Sequence, residues 1–378
     1  MAHALIKPDY ASPDPTHARQ ETIIARRLGI DTFSLRYQGF DAFGFIDCAR
    51  GLNLDVVQYS TRENLASHDP GYLAEVRAHA DRAGIDLEIG MGSIDRHAVS
   101  FAPKWGDATT QLTDMLHAAS RLGSPFVRCF LGAQDDRHGS VPFASHVDAC
   151  AEAITALAPL ARDLGLKIAV ENHGFGDFLA HELRAFVERV GPDVCAVTLD
   201  TGNPTFAAED PGYSASVLAP YIVTTHFRDS CVWPHPDGAW AQWTVLGRGS
   251  VDLDAIIGTL DRECPDIAIN LETINGMAPR VIPFEADNET GRAFRAIYPE
   301  IPESSLAAYR GLVERGHRLG TGPLDQIMGF IDLDTAPDVA EMVRRQQRNH
   351  FEASVAYAQD VLGLGGAKRI AIGRDVER

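Results

Sequence analysis

The chain has 378 residues, and its 34 Lys and Arg stand against 52 Asp and Glu for a formal net charge of −18. That balance argues against a nucleic-acid or anionic-membrane partner, whose phosphates need clustered Lys and Arg. The apolar share of 45 % supports a sizeable core, and six scattered cysteines without a CxxC pair read as reduced, mostly buried hydrophobes. No run reaches the length of a signal-peptide core or a membrane span, so the expected location is the cytoplasm.

Taken in chain order, one pattern repeats. A strand-like run at 28–35 is followed by helical spacing over 40–53, and DVVQYS (55–60) is a second strand. DPGYLAEVRAHADRAG (69–84) predicts a helix opened by Asp and Pro and closed by Gly84. DLEIGMGSI (86–94) is the third strand, with a helix over 107–123; FVRCFLG (126–132) is the fourth, with a long helix over 141–165. KIAVENHG, VCAVTLDTGN, IVTTHFRDS and DIAINLETIN supply strands five to eight, with helices at 179–191, 213–221 and 251–264 between them. The segment CVWPHPDGAWAQWTVLG (231–247) reads as a long loop.

Strict alternation with near-continuously apolar strands predicts an α/β protein with a parallel sheet covered by helices. Eight such units fit a closed (β/α)8 barrel, and no GxGxxG or GxxxxGK[ST] supports a nucleotide-binding alternative. The barrel with its N-terminal arm is expected over 1–275 and a helical C-terminal extension over 276–378. That extension exceeds one closing helix and is expected to pack on the barrel or on a partner subunit, in a homo- or hetero-oligomer.

The last four strand-like runs each stop on a metal-ligand side chain: Glu171, Asp200, His226 and Glu272. In a parallel barrel, strand ends converge at the C-terminal mouth. Any one of these residues alone reads as a helix cap or a rim ion pair; four in succession read as a divalent-metal site. Three carboxylates and one imidazole suit octahedral Mn²⁺, Mg²⁺ or Co²⁺ better than zinc, since no cysteine joins them.

VENHG, LDTGN, THFRDS and LETI together resemble the xylose isomerase-like barrel family, over about residues 20–275, and LGRGSVD (246–252) resembles its Gly-x-Gly turn. The family includes sugar isomerases and epimerases, inosose dehydratases and endonuclease IV-type enzymes. The resemblance implies that Glu171, Asp200, His226 and Glu272 are the four metal ligands, with Glu171 and Glu272 also acting as an acid/base pair. Endonuclease activity is disfavoured, because it goes with a larger His-rich cluster and a basic rim.

His173 shares strand parity with Glu171 and is a candidate base or hydrogen-bond partner. Arg228 stands in the same relation to His226 and is a candidate substrate ligand. Gln58 is a further one from an upstream strand end, with Glu88 and Arg128 as weaker candidates there. Trp233, Trp240 and Trp243 offer an aromatic wall, with Trp233 and Trp243 the expected substrate contacts. The leading expectation is an isomerase or epimerase of a sugar or keto-sugar, working through an enediolate. The alternatives are a lyase of the same family, such as a C-glycoside deglycosidase subunit or an inosose-type dehydratase, and a binding or docking protein on the same barrel.

Overall fold

Eight parallel strands wind into a barrel in the computed structural model, which describes residues 26–274, 277–325, 332–334 and 336–365. The strands are β1 (Leu28–Asp31), β2 (Val56–Tyr59), β3 (Asp86–Ser93), β4 (Phe126–Phe130), β5 (Lys167–Glu171), β6 (Cys195–Asp200) and β7 (Ile222–His226). A hairpin of β8 (Asp229–His235) and β9 (Gly238–Thr244) then precedes the last barrel strand, β10 (Ile269–Leu271). β10 lies beside β1, and Phe227, just past β7, pairs in parallel with Leu271. The sheet therefore closes on itself and leaves no open edge.

Seven helices alternate with these strands: α1 (Ala42–Gly51), α2 (Pro70–Ala83), α3 (Ala108–Leu122), α4 (Phe143–Leu164), α5 (Ala180–Val190), α6 (Pro211–Leu218) and α7 (Leu253–Glu263). Local chemistry sets their ends. The carboxylates of Asp41, Asp107, Asp210 and Asp252 accept a backbone N–H at the starts of α1, α3, α6 and α7. Gly84, Gly123 and Gly165 close α2, α3 and α4 in the left-handed conformation that glycine adopts without a Cβ penalty. Every residue of β1, β2, β4 and β6 is buried, as a sheet covered on both faces requires.

One expectation changes. The segment 231–247 holds a two-stranded hairpin, extended by β11 (Arg280–Ile282) into an antiparallel sheet ordered β11-β9-β8. His235 pairs with Gly238, so Pro236–Asp237 form a two-residue turn. Gly238 is at φ 144°, where a Cβ would lie 2.4 Å from the Ile282 carbonyl oxygen. β11 thus precedes the helices of the C-terminal extension.

Helices α8 (Glu289–Ile297) and α9 (Glu303–Arg315) follow, and Phe294, Tyr309 and Leu312 pack with the hairpin residues Val232, Ala239 and Ala241. α10 (Ala340–Asp360) returns to the barrel and buries Phe351, Val355 and Ala358 in the barrel's own core. The N-terminal arm lies outside the described residues.

Candidate metal centre

The register of the barrel brings the four expected ligands to one level. Asp200 pairs directly with His226 across β6 and β7, and Glu171 closes β5 one strand away. Glu272 follows β10, its N–H bonded to the Phe227 carbonyl. Ligand atoms of Glu171, Asp200, His226 and Glu272 all lie within 4.8 Å of one another, and all four residues are buried. His226 Nδ1 lies 3.2 Å from Glu171 Oε2 and 3.4 Å from Glu272 Oε2.

Surrounding groups aim each ligand. Asp200 Oδ1 accepts the N–H groups of Gly202 and Asn203, both at 2.7 Å, while the Asn172 amide brackets the Asp200 backbone from both sides. Asp200 Oδ2 meets Arg228, whose guanidinium also lies 2.7 Å from Glu272. Arg128 pairs with Glu171. His226 Nε2 faces Gln58 Oε1 and, at 3.4 Å, Asp31 Oδ2. Two acceptors on that side keep a ring proton on Nε2 and leave Nδ1 facing the carboxylates, the nitrogen that would bind a cation once its own proton is lost.

Burial acts on every charge here, and the neighbours decide the outcome. For Glu171 and Glu272 burial pushes upward, yet Arg128 and His226 hold Glu171 well below the usual range, and Arg228 with His226 brings Glu272 down to about 2. Asp200 is raised to about 7 by burial, reinforced by Glu171 and Glu272 against the pull of Arg228. Burial would lower His226, but Glu171, Glu272 and Asp31 raise it well above the ordinary histidine value. Glu171 Oε1 is buried without a hydrogen-bond partner, while His226 Nδ1 and Glu272 Oε2 make no hydrogen bond and have only ion-pair neighbours. Buried atoms so poorly satisfied are costly, and three of them in one donor set fit a divalent cation.

Above the centre opens a cavity of about 330 Å³ bounded by Phe33, Phe130, His173, Phe175, Arg228 and Trp243, among others. His173 stacks on Phe130 at 3.7 Å, and its Nδ1 donates to the Gly132 carbonyl at 2.6 Å. Burial lowers it to about 4, with Arg128 adding to the shift and Glu171 opposing it, so the ring is neutral near pH 7. Arg228 lies 4.3 Å over the Trp243 ring, which stacks on Phe175 at 4.8 Å.

Two expected substrate contacts are placed elsewhere. Gln58 is fully buried beneath the centre, where it orients His226 and donates to Glu88 at 2.8 Å. Glu88 itself is engaged by Gln58, Thr224 and Asn270 in the barrel interior. Trp233 does not border the cavity; it stacks on Trp240 at 6.1 Å, because hairpin alternation turns it away from the mouth. Asp31 and the wall residues Phe33, Phe130 and Phe175 are participants the sequence reading does not single out. Asp31 ends an apolar run as the four ligands do, so the same signal identifies it.

The fold and site define the class: a parallel (β/α)8 barrel with a buried carboxylate–imidazole cluster, able to hold a metal ion, at its C-terminal mouth. The chain belongs to the xylose isomerase-like TIM barrel family, whose model matches residues 25–299. A curated relative, 2-epi-5-epi-valiolone 7-phosphate 2-epimerase from Actinoplanes sp. (strain ATCC 31044 / CBS 674.73 / SE50/110), is 27 % identical over 183 residues. That match covers 48 % of this chain and 63 % of the relative. A D-psicose 3-epimerase solved in the presence of D-fructose superposes with a TM-score of 0.57 at 18 % identity, covering 89 % of this chain and 99 % of that one. A xylose isomerase-like TIM barrel protein from Mycobacterium smegmatis in complex with magnesium gives 0.53 at 15 % identity, over 76 % and 98 %. Among the described residues, no helix is long and apolar enough to cross a membrane.

Proposed function

We propose that the chain is an enzyme that isomerises or epimerises a sugar or keto-sugar, using one divalent cation held by Glu171, Asp200, His226 and Glu272. The observation that carries this reading is the convergence of those ligand atoms within 4.8 Å beneath a cavity bordered by neutral His173. The sugar epimerases among its relatives support it. Manganese is the expected cation, with magnesium or cobalt next, because carboxylates dominate the donor set. When bound, such an ion polarises a carbonyl and so acidifies the carbon beside it.

The chain's own groups do the rest. His173 has Nδ1 committed to Gly132, which leaves Nε2 with a lone pair able to take a proton. Glu171, at the end of β5, and Glu272, just past β10, are kept ionised by their cationic neighbours and serve as the second proton carriers. Arg228, over the Trp243 ring, supplies donors for a substrate oxygen. Phe33, Phe130, Phe175 and Trp243 keep water from the reacting carbon.

The same aromatic wall favours a second reading, elimination from a 3-keto glycoside with an apolar leaving group. There a base removes the proton at C2, the bond from C1 to the aglycone breaks as the departing aglycone takes up a proton, and an enone is left. Incubation of the metal-loaded protein with ketoses and 3-keto glycosides in deuterated water separates the two. Deuterium at the carbon α to the carbonyl of an isomeric product supports the first reading. Aglycone release without an isomer supports the second, and neither outcome with any substrate refutes both.

A further inference from the structure

The ring of His173 is held through Gly132 and Asp177, neither of which borders the cavity. Its Nδ1 lies 2.6 Å from the Gly132 carbonyl oxygen, which can only accept, so Nδ1 carries the proton. That bond joins two loops, one leaving β4 and one leaving β5. Both ends of it are gripped by a single carboxylate. Asp177 Oδ1 accepts the N–H of His173 at 2.6 Å and that of Phe178 at 2.6 Å; Asp177 Oδ2 accepts the N–H of Gly132 at 3.1 Å.

Asp177 is fully buried and does not border the cavity, so it is not placed to meet substrate. The two loops are stitched again one residue on, where Gln134 N–H donates to the Gly174 carbonyl at 2.7 Å. The approach there is so close that a Cβ on Gly174 would lie 2.5 Å from Ala133 Cα and 2.6 Å from the Gly132 oxygen. Gly174 also has φ +58°, where a side chain is strained.

From this geometry we infer that Asp177 is the positioning residue for His173, fixing the tautomer that leaves Nε2 bare. The inference rests on His173 being the proton carrier proposed above, but the tautomer itself is measurable without turnover. Replacing Asp177 Oδ2 removes the contact to Gly132, and replacing Oδ1 removes those to His173 and Phe178. In Asp177→Asn the new amide NH₂ faces a backbone N–H, donor against donor. The Gly132 carbonyl then loses its alignment, and Nδ1–H loses the acceptor that favours it over the other tautomer.

Long-range ¹H–¹⁵N correlation of the histidine rings tests this, with His173 assigned by its disappearance in His173→Gln. In the wild-type protein the ring should show protonated Nδ1 and bare Nε2, at a ratio of roughly tenfold, about what one net hydrogen bond sustains. In Asp177→Asn and Asp177→Ala the ratio should fall towards about one to one. Gly174→Ala, which presses directly on Gly132 and Ala133, should shift it too and serves if the Asp177 variants do not fold. Protonated Nε2 in the wild type, or an unchanged Nδ1–H tautomer in folded variants, would overturn the inference. Metal binding measured on the same samples keeps the two claims apart. A wild type that takes up no cation removes the metal reading and leaves the tautomer result standing.

Discussion

Asp200 and His226 both hold protons more tightly than free side chains do, Asp200 at about 7 and His226 well above its ordinary value. A cation entering the centre must displace those protons, because it binds carboxylate oxygen and the bare imidazole nitrogen. The sign follows: a raised pKa means more proton bound at low pH, so metal affinity should fall as pH drops through 7. Each proton displaced weakens binding by up to about tenfold per pH unit. Calorimetric titration with Mn²⁺ in buffers of different ionisation enthalpy should show proton release on binding. Affinity that is flat between about pH 6 and 8 would contradict the charge assignment. At this scale the ligands were legible because each acid or imidazole ends an apolar strand, a contrast that needs no tertiary information. Asp31 obeys the same rule, but Thr32–Leu35 read on as strand in the sequence and form a short 3₁₀ turn in the fold. Phe130 and Phe175 were not legible as wall residues, since their placement depends on loop paths; Phe175 sits at φ 66° between two positive-φ glycines.

Among the elements, the hairpin and α10 show where strand–helix alternation stops being informative. The β8–β9 pair was hidden by Trp, Pro and His, which read as loop, although Pro236–Asp237–Gly238 is a turn signal in its own right. Its consequence is functional: pairing with β8 carries Trp243 over Arg228 and sends Trp233 to the far side. α10 was legible as a helix, but its partner was not, because an amphipathic pattern does not say which groove it fills. Its apolar face is largely spent inside this chain, on the barrel core. Phe351 is fully buried there, so Phe351→Ala should cost about 3–5 kcal/mol in denaturant unfolding, the range for truncating a core phenylalanine. A loss below about 1 kcal/mol would mean that α10 is an accessory to the barrel.

For the molecule as a whole, the account turns on one convergence. Strands β5, β6 and β7 and the residue after β10 bring three carboxylates and an imidazole into one buried volume, beside the guanidinium groups of Arg128 and Arg228. Closure of the barrel, through the bridge between Phe227 and Leu271, is what brings Glu272 to the other three. The net charge of −18 adds a favourable field for a small cation without selecting it. The most direct measurement is the divalent-metal stoichiometry of the chelator-treated protein after reloading with Mn²⁺, with Asp200→Ala and Glu272→Gln alongside. The account predicts about one ion bound per chain in the wild type and a loss of affinity of at least about tenfold in each variant, since a hard cation loses a charged ligand. A wild type that binds none, or variants that bind as tightly as the wild type, would contradict it.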